Sequence, residues 1–274
     1  MATAAPPFAV GGRQADQLSG TPRAGPIDRW IYVFTAASFI VVTLVGFVPD
    51  SLGKIAAVQA GERPPFPLVL HLHAALMGAF LLLLLTQTVL VATGRCDRHM
   101  RLGLLAMVLA PALVVVGFIL VPTTYHSVWS AAQAAPPEAR EALRQSTSRL
   151  ENIMLLQLRV GFLFPLLLLI GVAARGRNAG LHKRMMILAP AMALPAAIDR
   201  IAWLPTTFPA SPLATDLYTL LLVSPMLIWD VGRNRAVHPA YLIWLAVALP
   251  FTLAVHALWN TPWWHAAARQ LMGV

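Results

Sequence analysis

The residues most able to do chemistry in this chain are ionisable side chains that interrupt long apolar segments. A charged or titratable group inside a bilayer is costly, so its presence there indicates a functional role. Such positions recur at a similar depth, in the outer third of the predicted membrane region. They are His71, His73, Arg159, Asp199, Arg200 and His256. Because they come from four different segments, the sequence predicts one polar layer built by several helices.

The histidines of this layer point to haem or metal binding, because a neutral imidazole nitrogen ligates haem iron and transition metals. His71 and His73 are two residues apart. They point roughly 200° away from each other on a helix, so only one of them faces a given site. We therefore predict His71 or His73, together with His256, as ligands of haem b or of a transition metal ion. His126, just beyond a predicted helix, is a third candidate.

The charged members of the layer are expected to hold this site together. Arg159 and Asp199 lie at a similar depth on consecutive antiparallel helices, so we predict a structural ion pair between them. Asp199 and Arg200 are neighbours and cannot pair along one helix face. Arg200 is then left to neutralise a haem propionate or a substrate anion.

A second set of histidines follows a repeated turn. The dipeptide Gly-Arg precedes a histidine by a few residues three times, and the histidines are His99, His182 and His238. Each copy separates two apolar segments, so the repeat predicts three helical hairpins that turn at the same membrane face. These three residues are also candidates for a second haem or metal near the inner face, which would create an electron path across the membrane.

Composition restricts the class of protein. Of the 274 residues, 58 % are hydrophobic and only 11 % are charged, whereas soluble proteins carry about 25 % charged residues. The formal net charge of +9 reflects basic loops that orient a membrane protein rather than nucleic-acid binding. The single cysteine, Cys96, excludes an internal disulfide and covalent attachment of a c-type haem. Any haem is expected to be bound non-covalently.

The apolar segments predict an all-α bundle of seven transmembrane helices, one leading helix followed by three hairpins. The predicted spans are 30–48, 67–93, 100–121, 153–174, 183–204, 216–231 and 239–259. A short surface helix is expected near 136–144, and prolines 190 and 195 are expected to unwind the fifth span locally. Residues 1–28 are predicted to be a disordered cytoplasmic tail, 29–264 the transmembrane domain, and 265–274 a short outer tail.

Orientation follows from the basic residues beside the spans. With the N-terminus inside, 12 Lys and Arg lie on the inner side and 6 on the outer side. Basic residues accumulate on the cytoplasmic side of membrane proteins. We therefore expect a multi-pass protein of a bacterial inner membrane, with its N-terminus inside and its C-terminus outside.

Two turns carry a resemblance to a known group of proteins. They read Asp-Arg-His-Met-Arg-Leu-Gly at 97–103 and Leu-His-Lys-Arg-Met-Met at 181–186. In these motifs the chain resembles uncharacterised bacterial polytopic membrane proteins, some of them loosely similar to b-type membrane cytochromes and oxidase-assembly membrane proteins. The resemblance covers roughly the second to fifth predicted helices. The chain lacks the regular pairing of histidines on adjacent helices at both faces that a typical two-haem cytochrome has.

The histidines and charged residues of the predicted polar layer favour a redox protein that binds haem b or a metal ion in the outer half of the bundle. Its expected partners are the lipid bilayer, a quinone or another small molecule, and further copies of the chain or subunits of a membrane complex. One alternative is a small-solute or proton transporter, or a sensor, that uses the same polar residues without a cofactor. Another is a structural subunit of a membrane complex, in which the histidines bond only to backbone carbonyls and water.

Overall fold

The computed structural model describes residues 25–274, and every regular element in that range is helical. The elements are α1 (Pro26–Gln59), α2 (Leu68–Ala92), α3 (Cys96–Leu102), α4 (Ala106–Ala134), α5 (Pro137–Ala174), α6 (Ala179–Ala191), α7 (Pro195–Ile198), α8 (Leu213–Asn234), α9 (Pro239–Leu258) and α10 (Pro262–Met272). A single 3₁₀ turn over Gly103–Leu105 joins α3 to α4. The all-α prediction is confirmed.

Six helical segments of the described range are long and apolar enough to cross a membrane. They are α1, α2, the continuous segment from α3 through α4, α5, α8 and α9. Many of their large apolar side chains face outward from the bundle, where contact with lipid would remove them from water. This supports the prediction of a multi-pass membrane protein.

Several predicted boundaries are correct and several are wrong. The second, sixth and seventh predicted spans correspond within three residues to α2, α8 and α9. The first and third were expected to end before Pro49 and Pro122, but α1 and α4 continue through both prolines. In a membrane bundle, neighbouring helices and local adjustments compensate for the hydrogen bond that a proline removes.

The predicted surface helix is part of a much longer element. Residues 136–144 were expected to lie over the outer face, but they form the start of α5, which runs for 38 residues. The side chains of Thr147, Glu151 and Asn152 are buried against neighbouring helices, so packing continues the helix beyond the apolar span. The predicted tails also differ: α1 begins at Pro26, residues 1–24 lie outside the described range, and α10 is helical to Met272.

The fifth predicted span is a broken helix, as its two prolines indicated. It consists of α6 and the single turn α7, with non-helical turns at 192–194 between them. This segment is also the centre of the core. Met185, Ile187, Leu188, Ala189 and Ala191 are all fully buried, so the other helices pack around a helix that is interrupted.

The three Gly-Arg turns share one end of the bundle, which we name the Gly-Arg end. His99 and His182, from the first two turns, have ring centroids 6.4 Å apart. Arg184 after the second turn forms an ion pair with Asp230 just before the third, and both side chains are completely buried. The predicted common face of the three hairpins agrees with these contacts.

Helix packing leaves a gap on one side. α5 packs against α4, α6 and α9, while α8 packs against α1 and α7. The consecutive helices α8 and α9 make no extensive contact with each other. A cleft therefore opens between them.

Close packing of α1 on the broken helix depends on one glycine. A Cβ atom added at Gly46 would lie 2.1 Å from the carbonyl oxygen of Ala197, a distance that forces the backbone to move. Gly53, two turns later on α1, has no atom within 4 Å of the same position. The two glycines form a matched pair for mutation.

We expect Gly46→Ala to lower the free energy of unfolding by about 1–3 kcal/mol, since it overpacks a close helix contact. Gly53→Ala should leave stability unchanged or raise it by up to about 1 kcal/mol, because alanine favours helix. Thermal unfolding of the detergent-purified variants measures both. Equal stability of Gly46→Ala and wild type would contradict the packing of α1 on α7.

Candidate functional site

An arginine near the middle of the longest helix is the centre of the polar layer. Arg159 on α5 is only 2 % exposed. Its two terminal nitrogens donate to the two carboxylate oxygens of Asp216, Nη2 to Oδ1 at 2.7 Å and Nη1 to Oδ2 at 3.1 Å. Nη1 also donates to Thr252 Oγ1 at 3.3 Å. Bidentate arginine–carboxylate contacts of this kind are strong and directional.

A histidine completes the site from a third helix. His256 Nε2 lies 3.0 Å from Asp216 Oδ2, so this carboxylate joins Arg159 on α5 to His256 on α9. Asp216 lies in the first turn of α8 and His256 in the last turn of α9. A helix dipole favours an anion at the first position and a cation at the second. We name Arg159, Asp216, Thr252 and His256 the Asp216 cluster.

The Asp216 cluster stands at the edge of the cleft between α8 and α9. The cavity there has a volume of about 110 Å³. Its lining includes Arg159, Met192, Pro195, Asp216, Thr219, Leu220, Trp244, Leu245, Ala248, Leu249 and Thr252. Met192 and Pro195 come from the break between α6 and α7, so the interruption of the central helix forms part of the cavity wall.

Two residues of this wall, Arg159 and Trp244, each contain a hydrogen-bond donor without a partner. Arg159 Nε and Trp244 Nε1 are both buried, and neither finds an acceptor. Buried donors are almost always paired, and an unpaired one costs about 1–3 kcal/mol. Both nitrogens have almost no accessible surface, so they lie behind the cavity wall.

The predicted ion pair between Arg159 and Asp199 is wrong, because Arg159 binds Asp216 instead. The break in the central helix ends regular structure at Ile198, and Asp199 is turned towards Arg149 on α5, at 3.6 Å. Arg200 also has partners in the structure. Its Nε lies 3.4 Å from an Asp50 carboxylate oxygen, and its guanidinium lies 4.6 Å from the Phe47 ring centroid. The predicted role of Arg200 towards a propionate or substrate anion stays a prediction.

The structure does not gather the predicted outer histidines around one point. His71 is exposed beside the Phe66 ring, and His126 is exposed beside Tyr125. His73 lies near Gly117 of α4, with its Nδ1 buried and unpartnered. His256 is bound to Asp216. Within residues 25–274 there is no group of three or more His, Cys, Asp or Glu arranged to hold a metal ion.

Two of the inner candidates do come together. His182 Nδ1 lies 2.8 Å from the carbonyl oxygen of Gly171. With its amide oriented to satisfy its neighbours, Gln87 donates to His99 Nδ1 and accepts from Gly103 N. His238 is apart from this pair and caps α9, where its Nδ1 accepts from Ala240 N at 3.1 Å.

A further polar cluster was not recognised from the sequence. Glu151 is fully buried, and its carboxylate contacts Tyr125 Oη at 3.1 Å, His265 Nδ1 at 2.6 Å and Arg269 Nε at 2.8 Å. The hydrogen bond to Glu151 is the main cause that raises the pKa of Arg269. The signal was present: His265 and Arg269 are four residues apart after a Thr261-Pro262 helix start, which is typical of one helix face.

Mutation distinguishes the observed pair, Arg159–Asp216, from the predicted pair, Arg159–Asp199, by the size of the stability loss. Asp216→Asn removes the charge that compensates buried Arg159 and should lower the free energy of unfolding by about 3 kcal/mol or more. Asp199→Asn affects a contact to Arg149, whose side chain is 55 % exposed, and should cost less than about 1 kcal/mol. Denaturant unfolding in detergent measures both, and a larger loss for Asp199→Asn would support the originally predicted pair.

Comparison of the chain with protein-family models, with curated proteins and with solved structures finds no match. The resemblance to b-type membrane cytochromes and oxidase-assembly membrane proteins therefore stays a prediction from the two short motifs. What this chain does has to be argued from its own geometry.

Proposed function

We propose that this chain is a proton-transporting protein of a bacterial inner membrane, with His256 and Asp216 as its proton-carrying pair. The observation that carries the proposal is the 3.0 Å contact between His256 Nε2 and Asp216 Oδ2 beside the cleft. Proton transport is the transporter alternative given in the sequence analysis, and it requires no cofactor.

The charges of the Asp216 cluster suit a group that gains and loses protons. Arg159 compensates the Asp216 carboxylate, so the two together carry no net charge. His256 is then the member whose protonation changes the charge of the cluster from zero to +1. Imidazole is the side chain that ordinarily changes its charge within the range of pH 5–8.

A proton route also needs access from both sides of the pair. His256 has a side chain 29 % exposed, whereas Asp216 is 15 % exposed and faces the cavity. The cavity volume of about 110 Å³ is several times the roughly 30 Å³ that a water molecule occupies in the liquid. Thr219 and Thr252 supply hydroxyl groups along the wall, which are suitable partners for a short water chain.

The proposed topology includes a seventh crossing made by the broken helix. α5 ends and α6 begins at the Gly-Arg end, while Asp199, just after α7, contacts Arg149 towards the start of α5. We infer that residues 179–212 return the chain to the opposite end before α8. The 12 to 6 distribution of basic residues then favours the Gly-Arg end, and the N-terminus, on the cytoplasmic side.

Proton movement in proteoliposomes tests the proposal. With a potassium diffusion potential as the driving force and a pH-sensitive dye inside, wild-type protein should acidify the vesicles faster than lipid alone. His256→Ala should lower that rate at least tenfold, because the only titratable partner of Asp216 in the cluster is lost. His71→Ala, at an exposed histidine beside Phe66, is the matched control and should retain the wild-type rate.

Two outcomes would contradict this function. One is a wild-type rate no greater than that of protein-free vesicles. The other is full proton flux in a correctly folded His256→Ala variant, since the carrier would then lie elsewhere.

A second candidate is the redox function with haem b or a metal ion, and His182 favours it. Its Nδ1–H donates to the carbonyl oxygen of Gly171, so the lone pair of Nε2 is available to a metal ion or haem iron. In His99 the direction is reversed: Nδ1 accepts from Gln87, and the proton of the neutral ring lies on Nε2. The proposed binding position thereby moves from the outer histidines to the Gly-Arg end.

An absorption spectrum of the purified protein decides this second candidate. A bound haem would give a Soret band that shifts on reduction, and His182→Ala should abolish it while His71→Ala leaves it intact. For a metal ion, elemental analysis of the same samples should show the same difference. A colourless, metal-free wild-type protein would contradict the redox function.

A further inference from the structure

Exposed arginines gather where the first two Gly-Arg turns meet. The side chains concerned are Arg95, Arg98, Arg101, Arg175 and Arg177. The rings of His99 and His182, whose centroids are 6.4 Å apart, place α3 beside the turn that precedes α6. Arg175 lies close enough to interact electrostatically with both rings. The five arginines therefore form one patch, which we name the α3 basic surface.

The charges of the α3 basic surface are not compensated by the protein. In the part of the chain that the structure describes, no ion pair includes any of its five arginines. Arg233 of the third turn, by contrast, contacts Asp28 at 3.5 Å. The sequences 95–101 and 175–184 together contain one acidic residue, Asp97. Clustered positive charge of this kind attracts an anion from the surroundings.

An exposed strip continues from the α3 basic surface into α4 and changes from basic to apolar. Its members, at intervals of three or four residues, are Arg98, Arg101, Leu105 and Val108. That spacing places side chains on one helix face. Leu105 is 52 % exposed and Val108 is 69 % exposed, so aliphatic side chains follow the guanidinium groups along this face. A phospholipid has the same order, with a phosphate above its acyl chains, whereas a soluble anion would leave the aliphatic part unoccupied.

We infer that the α3 basic surface and this strip bind an anionic phospholipid. The phosphate accepts hydrogen bonds from Arg98 and Arg101, because the planar guanidinium group matches a phosphate in shape. The acyl chains lie along Leu105 and Val108, and Arg175 adds positive charge from the neighbouring turn. Basic residues beside a membrane span recognise anionic lipids in this way. The lipid site is separate from the proton-carrying pair and does not rest on the proposed function.

Lipid binding by the delipidated, detergent-purified chain tests the inference. With equal amounts of dioleoyl phosphatidylglycerol and dioleoyl phosphatidylcholine present, native mass spectrometry should show preferential binding of the anionic lipid. The acyl chains of the two probes are identical, so the preference measures recognition of the headgroup. Arg98→Gln combined with Arg101→Gln should lower this preference about fivefold or more, since each basic residue near an anionic lipid contributes an effect of about that size.

A matched variant controls for the loss of charge itself. Arg140→Gln combined with Arg144→Gln removes the same charge from two exposed arginines near the start of α5, and it should retain the wild-type preference. Ionic strength provides a second measurement on the wild-type protein, which requires no folded variant. Because salt screens exposed charges, raising its concentration from about 50 to about 500 mM should reduce the preference.

Glycerol 3-phosphate distinguishes the lipid from a soluble phosphate, because it carries the phosphate without acyl chains. In large molar excess it should leave phosphatidylglycerol bound. Displacement of the lipid would overturn the inference and assign the arginines to a soluble anion. Equal binding of the two lipids by the wild-type protein, an undiminished preference at high salt or in the Arg98 and Arg101 variant, or an equal loss in the Arg140 and Arg144 variant would also overturn it.

Discussion

Charge compensation inside an apolar bundle is the constraint on which this structure depends. A buried charge without a partner costs several kcal/mol, and each deeply buried charge described here is met by a side chain from another helix. Arg159 binds Asp216, Arg184 binds Asp230, and the Glu151 carboxylate receives His265 and Arg269. These contacts join α5 to α8, α6 to α8 and α5 to α10, so pairing determines which helices meet.

The broken central helix is the second determinant, and it acts together with the first. Regular helix stops at Ala191 and again at Ile198. Asp199 therefore does not lie on a helix face that is directed towards Arg159. The same interruption contributes Met192 and Pro195 to the cavity wall. The result is a site in which α8 and α9 are joined at one end by the Asp216 cluster and separated along their length by a cleft.

Much of the architecture was predictable from residue patterns, and the site was predictable only in part. Long apolar segments indicated the helices, the repeat of Gly-Arg and histidine indicated the common end of three hairpins, and Pro190 and Pro195 indicated the break. The pattern singles out Arg159 and His256 as intramembrane polar residues, but it indicates Asp216 only as the start of a predicted helix. Its role depends on the distance between two helices that are far apart in the chain, which no local pattern encodes.

The boundary errors have a similar physical origin. Proline and terminal polar residues are reliable signs of helix ends in water, where an unpaired backbone group is cheaply solvated. Within a bundle, packing of Thr147, Glu151 and Asn152 and of the α10 face carrying His265 and Arg269 continues helices that composition alone would end. The sequence pattern does not single out Glu151 for the same reason, because it lies just outside the predicted span 153–174.

The central claim is that Arg159 and Asp216 form a charge-compensated pair between α5 and α8, and removal of both charges tests it most directly. Asp216→Asn leaves the buried guanidinium of Arg159 without a counter-charge, which is strongly destabilising. We predict that adding Arg159→Met to Asp216→Asn restores part of the lost stability in denaturant unfolding of the detergent-purified protein, because no uncompensated charge then remains. A double variant that is less stable than Asp216→Asn alone would contradict the account.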